Sequence, residues 1–322
     1  MEIKEIGGYI ELDKYELPML HDGAIALNCG RSCLLYLIRA RGIKKILLPQ
    51  FLCNSISDVC QKEQVRIRFY SIDAEFLPLD IDLENDEWLY LVNYYGQVNT
   101  DKMQKIVSEY EHVIVDQSQA YFQMPLKGID TLYTSRKFFG VADGAFLYTD
   151  AFWNENIEQD ESYNHINFLF GRYERQAKEF YKDYVINNER FTNEPIKRMS
   201  KVTENMLHGI NYSKIKEIRT QNFTYLHNRL GKINHLKLSI PEGAFMYPLY
   251  ISNGVEIRKR LQKKSIYIPI LWPNVLEQCK KYELEYDMAC NILPLPIDQR
   301  YGLSEMDIVA SQIEQNLKRL GE

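Results

Sequence analysis

The chain has 322 residues, of which 45% are apolar and 26% charged. That balance belongs to an ordinary globular protein of roughly two domains, which needs no disulfide or metal staple to hold its core, so disorder is excluded as the starting point. The net charge of −5 lacks the basic excess of a nucleic-acid binder, and the basic run Arg258, Lys259, Arg260, Lys263 and Lys264 reads as one solvated helix face.

The chain opens Met-Glu-Ile-Lys-Glu-Ile-Gly-Gly, acidic where a signal peptide is basic, and no apolar region follows. No stretch approaches the roughly 18 apolar residues of a transmembrane helix. The expectation is a cytoplasmic protein with no membrane or nucleic-acid partner. The cysteines, at positions 29, 33, 53, 60, 279 and 290, form no C-x-x-C pair and read as free thiols rather than a metal site.

The first half alternates short apolar runs with helical periodicity. Residues 24–27 predict a strand, and Leu34, Leu35 and Ile38 at helical spacing predict a helix over 31–41. A strand is predicted over 46–49, a helix over 54–62 and a strand over 66–72. Residues 88–94 predict a buried strand closed by Gly96, and 102–110 a helix. A strand over 112–115 ends at Asp116, and 130–134 and 145–148 complete the series. This alternation predicts an α/β fold with a mostly parallel central sheet and helices on both faces.

Residues 151–235 turn helical, charged and aromatic. Within them 202–230 predicts a long helix broken near Gly209, and 163–184 reads as a packed amphipathic helix or, alternatively, as part of an interface. Beyond Leu236 the pattern is mixed, with a strand over 246–251, a helix over 255–264 and a strand over 266–271. Ser304 is the expected cap of a last helix, with Asp307 as its capping-box partner and Val309, Ile313 and Leu317 as its apolar stripe. The chain thus divides into a large α/β domain over 1–235 and a small C-terminal α+β domain over 236–322.

In a parallel sheet, ligands sit beyond the carboxyl ends of the strands. Gly30-Arg31-Ser32 opens a helix just after a strand, where free backbone N–H groups and a hydroxyl make an anion cradle; the serine would serve equally as a helix cap. Asp116 closes His-Val-Ile-Val, and its carboxylate can pair with a protonated ring nitrogen or serve as a helix cap. Lys137 lies in Tyr133-Thr134-Ser135-Arg136-Lys137-Phe138-Phe139-Gly140, followed by Asp143-Gly144. Aromatic flanks can desolvate its amine, which can then attack an aldehyde; the plainer reading is a surface lysine. Thr134 and Ser135 add hydroxyls beside it. Taken in order, phosphate donors come first, then an acid, then an amine about twenty residues later. These are the parts that hold pyridoxal 5'-phosphate.

The sequence resembles the DegT/DnrJ/StrS family of pyridoxal-phosphate-dependent sugar aminotransferases. The matching pieces are Leu27-Asn28-Cys29-Gly30-Arg31-Ser32, Leu48-Pro49-Gln50-Phe51-Leu52-Cys53 and Val92-Asn93-Tyr94-Tyr95-Gly96-Gln97. Val115-Asp116-Gln117-Ser118-Gln119-Ala120, Ser135-Arg136-Lys137 with Asp143-Gly144, and the C-terminal Ile268-Pro269-Ile270-Leu271-Trp272-Pro273 and Leu293-Pro294-Leu295-Pro296 continue the match.

The resemblance implies the aspartate aminotransferase type I fold, with Lys137 as the internal-aldimine lysine and proton shuttle and Asp116 on the pyridine nitrogen. It places Gln119 near the ring's phenolic oxygen, and Gly30, Arg31 and Ser32 with Thr134 or Ser135 on the phosphate. Asn93 stands where the family often has histidine; Cys53 stands at the ring-stacking position, with Phe51 as its substitute. The family's Asn-Tyr-Arg motif has no secure match: Asn211-Tyr212-Ser213 is similar but lacks the arginine and sits at an unexpected distance. The implied reaction moves an amino group from L-glutamate to a nucleotide-linked keto sugar, in a homodimer with shared active sites. The alternative is a degenerate member that binds a sugar nucleotide or a protein partner without transamination. Cys53 and the missing Asn-Tyr-Arg motif favour that alternative, and the joint presence of Gly30, Ser32, Asp116 and Lys137 opposes it.

Overall fold

The structure, a computed structural model, describes residues 6–321. The acidic start of the chain falls largely on residues 1–5, outside the described residues. The first half contains β1 (Ile25–Leu27), α1 (Gly30–Arg41), β2 (Lys45–Pro49), α2 (Asn54–Lys62) and β3 (Arg66–Tyr70). It continues with β4 (Glu87–Val92), α3 (Thr100–Ser108), β5 (Val113–Asp116), β6 (Asp130–Thr134) and β7 (Ala145–Tyr148). Helices α4 (Asn167–Glu174), α5 (Tyr181–Arg190), α6 (Lys201–His208) and α7 (Tyr212–Leu230) follow. The last part holds β8 (Tyr247–Tyr250), α8 (Gly254–Gln262), α9 (Val275–Gln278), α10 (Leu284–Asn291), β9 (Ile292–Leu295) and α11 (Leu303–Leu320).

Seven strands form one sheet in the order β1-β7-β6-β5-β4-β2-β3. β7 runs antiparallel to both neighbours, and every other pair is parallel. All four residues of β5 are buried, as a central strand covered on both faces requires. The predicted mostly parallel α/β sheet is therefore present.

The strand expected over 88–94 stops at Val92. Asn93 ends it by folding its amide back on the chain: Nδ2 donates to the Val98 carbonyl and Oδ1 accepts the Val98 N–H, both at 2.9 Å. The chain between them closes into a 3₁₀ turn with Tyr95 at φ +52°. Helix α3 begins at Thr100 because the Asn99 side chain caps it, accepting the Lys102 N–H at 2.9 Å.

The predicted break near Gly209 separates α6 from α7, and Asn211 caps α7 by accepting the Lys214 N–H. Residues 163–184 do not form one packed amphipathic helix. They hold α4, a 3₁₀ turn and the start of α5, with Phe170, Tyr173 and Tyr181 exposed. In the C-terminal part β8 and β9 pair antiparallel. Their core takes in Val309, Ile313 and Leu317 of α11, together with Phe223, Leu226 and Leu230 of α7.

Three local expectations are corrected. Residues 266–271 form no strand: Ile268 is buried while Tyr267, Pro269 and Ile270 are exposed, Pro269 has no N–H to give, and among the described residues no strand pairs with them. Helix α11 starts at Leu303, and Glu305 rather than Asp307 reaches back, accepting the Gly302 N–H at 2.8 Å; Asp307 pairs instead with Arg229. Arg258 is not on a solvated face: it is buried, donating to the carbonyls of Cys290 and Ile292. Among the described residues no helix is long and apolar enough to cross a membrane.

Candidate active site

Asp116 is the last residue of β5, and Lys137 lies in the turn after the neighbouring strand β6. Ser118 joins them. Its backbone N–H donates to Asp116 Oδ1 at 2.7 Å, and its hydroxyl accepts from Lys137 Nζ at 2.9 Å. Two hydrogen bonds therefore connect the buried carboxylate to the amine. The other carboxylate oxygen, Oδ2, accepts the Tyr90 hydroxyl. Gln119 follows in the same loop, and its Oε1 accepts the Tyr95 N–H at 3.0 Å, which leaves the amide NH2 as the part still able to donate.

The start of α1 is built as an open anion cradle. Cys29, the residue before the helix, is extended and supplies no side-chain cap. The first amide N–H groups of a helix have no intrahelical acceptor, so those of Gly30, Arg31 and Ser32 remain available. A Cβ at Gly30 would meet nothing within 4 Å. The Ser32 hydroxyl is turned away from this opening: it donates to Asn28 Oδ1 at 2.7 Å, and Asn28 in turn donates to Asp160. Ser32 thus braces the cradle from behind.

Gly144 brings the cradle to the Lys137 turn. Its N–H donates to the Asn28 carbonyl and its carbonyl accepts the Ser135 N–H. It does so at φ +112°, and a Cβ there would stand 3.0 Å from Thr203 Cγ2 and 3.3 Å from Ser135 Oγ. Only glycine fits that conformation without strain. Ser135 is fully buried and its Oγ has no hydrogen-bond partner among the described residues; Thr134, at the end of β6, is half-buried.

Sequence reasoning missed Arg136. Its guanidinium donates to Asn188 and lies 4.7 Å from the Phe191 ring, and no carboxylate pairs with it among the described residues. Burial lowers its pKa; Arg31 and Arg190 push the same way, against Tyr184 and Cys29. Arg190 has taken the nearby acids, pairing with Asp160 and Glu194. Arg136 is thus a half-buried positive charge near Arg31 with no carboxylate bonded to it among the described residues. Its position next to Lys137 was legible; its isolation from carboxylates was not.

Three further expected site residues are held by contacts of their own. Phe51 is fully buried, with its ring 4.3 Å from Trp272 and 5.6 Å from Tyr94, and has no free face. Cys53 precedes α2, half-buried, with Sγ 2.8 Å from Ser55 Oγ. Asn93 is committed to Val98, Gln117 and Gln123. The rings flanking Lys137 do not enclose it: Phe138 and Phe139 turn into an aromatic core, and Lys137 itself is exposed, with Phe245 5.6 Å from Nζ.

No family model matches the sequence, and no curated protein matches it. Solved structures do match the shape. The sugar aminotransferase CalS13 from Micromonospora echinospora superposes with a TM-score of 0.62 at 13% identity, over 92% of this chain and 88% of that one. This is the fold of the sugar aminotransferases. A putative sugar aminotransferase, Spr1654 from Streptococcus pneumoniae in its PLP form, gives 0.63 at 13% identity, over 92% and 88%. The aminotransferase TlmJ from Streptoalloteichus hindustanus gives 0.65 at 12% identity, over 92% and 86%. Each of the three matches extends over 92% of this chain, so it takes in both the central sheet and the C-terminal part.

Proposed function

We propose that this protein is a pyridoxal-phosphate-dependent aminotransferase that moves an amino group, with L-glutamate as donor, to a nucleotide-linked keto sugar. The observation that carries the reading is the Lys137–Ser118–Asp116 chain of hydrogen bonds beside the open start of α1. The residues present fit the cofactor: unpaired amides and an unbalanced Arg136 suit a phosphate, a buried carboxylate suits a protonated pyridine nitrogen, and a free amine suits an aldehyde. Structural neighbours solved in PLP and PMP forms support the same reading.

When bound, pyridoxal phosphate supplies an aldehyde that captures amines and a ring that accepts electrons. The chain supplies the rest. Lys137 holds the cofactor and then moves the proton at the donor's Cα. Ser118 aims the Lys137 amine, and Tyr90 and the Ser118 N–H hold Asp116 in place. Gln119 would offer its NH2 to the phenolic oxygen, and the start of α1 with Arg136 would hold the phosphate. A homodimer with shared sites belongs to the proposal, with the exposed rings of 163–184 as the surface that a second copy would cover. The six cysteines are all free thiols, which supports a reducing, cytoplasmic setting.

Cys53 supports a second reading, a binding protein that retains the fold without turnover. One experiment separates the two. Purified protein mixed with pyridoxal phosphate is expected to develop a visible absorption band that Lys137→Ala abolishes and L-glutamate bleaches. No band would overturn the enzyme reading; a Lys137-dependent band that ignores glutamate would remove glutamate as donor.

A further inference from the structure

We propose that Arg219 is a positioning residue for the Lys137 amine, fixing both the carbonyl of Phe138, the residue after the lysine, and the backbone of Phe245, whose ring faces it. The inference rests on Lys137 being the reactive amine. Arg219 lies on α7 and is 1% exposed. Its Nη2–H donates to the Phe138 carbonyl at 3.2 Å, and that carbonyl closes the residue next to Lys137. Its Nη1–H groups donate to the carbonyls of Ala244 at 3.0 Å and Phe245 at 3.2 Å. Phe245 is the residue whose ring stands 5.6 Å from Lys137 Nζ. Nε–H donates to Gln299 Oε1 at 2.9 Å, and Gln299 Nε2 returns to the same Phe138 carbonyl at 2.7 Å. The guanidinium carbon lies 4.7 Å from the Phe138 ring.

One planar group therefore ties together the Lys137 turn, the entry to β8, α7 and the loop after β9. Stability alone accounts poorly for it. A buried guanidinium held by carbonyls is costly, and a neutral or apolar side chain would fill the space. No carboxylate bonds to it among the described residues, since Asp298, the acid acting on it, is held by Arg300. What the fork supplies is direction: five donors in a fixed plane. Ser118 restrains the amine from the Asp116 side, and Arg219 restrains it from the backbone side. The carbonyls of Phe138 and Phe245 share one set of donors, so the lysine and the ring facing it are held in mutual register.

The test compares Arg219→Gln and Arg219→Lys with Arg258→Gln. Arg258 is a second buried arginine that donates to carbonyls, those of Cys290 and Ile292, with no bond to the Lys137 turn. Two rates are read: acetylation of Lys137 by acetic anhydride relative to other lysines in the same digest, without cofactor, and growth of the visible band with pyridoxal phosphate. Band growth is expected to slow about tenfold or more in the two Arg219 variants, because a displacement of about 1 Å at a reacting atom can cost about a hundredfold, and the Lys137 labelling rate is expected to depart from that of the wild type. Arg258→Gln is expected to lower the thermal midpoint and leave both rates unchanged. Wild-type rates in Arg219→Gln, or equal changes in Arg258→Gln, would overturn the proposal. If wild-type protein gives no band while Arg219→Gln still alters Lys137 labelling, the cofactor reading fails and the positioning role stands. Should the Arg219 variants not fold, Gln299→Ala removes one donor from the Phe138 carbonyl; an unchanged labelling rate there overturns the proposal, and a change of about threefold supports it.

Discussion

Tyr90 and Asp116 are joined across adjacent parallel strands: the Tyr90 hydroxyl, on β4, donates to Asp116 Oδ2 on β5 at 2.9 Å. Burial, together with the neighbouring Asp116 charge and the bond to it, pushes the Tyr90 phenol well above its usual pKa, so it remains a donor throughout the working range. Tyr90→Phe should lose about 2 kcal/mol of stability, because the bond ends on a charged group. Turnover should fall with Asp116 left less well held. Asp116→Asn should still bind pyridoxal phosphate yet lose about a hundredfold in rate, since the ring then lacks its fixed negative partner. An unchanged turnover number in Asp116→Asn would remove that residue from the chemistry.

Gly30→Asp separates helix stability from anion binding. A carboxylate in the first turn of α1 should stabilise the helix by about 0.5 kcal/mol through the helix dipole. The same carboxylate would face the cofactor phosphate, and like charges in contact cost several kcal/mol, so affinity should drop about tenfold or more. A raised thermal midpoint with unchanged cofactor affinity would place the phosphate away from α1.

His21 sets an acid limit on the fold. It is fully buried, with Nε2 2.9 Å from the Tyr121 carbonyl, and burial lowers its pKa to about 4 against the opposing effect of that bond. The unfolded chain binds the proton near pH 6.5 and the folded chain only near pH 4, so the His21 contribution is complete above about pH 6.5 and is lost as pH falls toward 4. The slope is about 1.4 kcal/mol per pH unit in that window. His21→Gln should therefore lose stability less steeply than wild type between about pH 6.5 and 5 in urea titrations. Parallel slopes would mean that His21 is protonated in the fold.

Much of the first half of the chain was legible because its signals are local. The strands over 130–134 and 145–148 and the helix over 54–62 match the structure to the residue, each bounded by its own composition. Lys137 and Asp116 were legible because strand ends in a parallel sheet attract function. Ser118 and Tyr90 were not, since their roles depend on the register between β4, β5 and β6, which no local pattern encodes. Phe51 shows the opposite failure. It has the right ring for stacking, but Trp272, 221 residues later in the chain, packs against it and it is fully buried. Arg258 and Arg219 look like surface charges in sequence, and only the surrounding carbonyls reveal them as buried.

The pairing of Leu27 with Ala145 has a consequence for how the protein assembles. Among the described residues β7 is the strand that β1 pairs with, so β1 cannot join the sheet until well over a hundred further residues have been made and β6 and β7 have formed their hairpin. Long-range pairing of this kind closes late, because the loop entropy is spent before any contact rewards it. The start of α1 is therefore made before the strand that β1 depends on, and is among the last segments to find its place. Acquisition of phosphate affinity therefore reports on completion of the sheet, and a refolding experiment followed by cofactor binding would time the slowest step rather than the first.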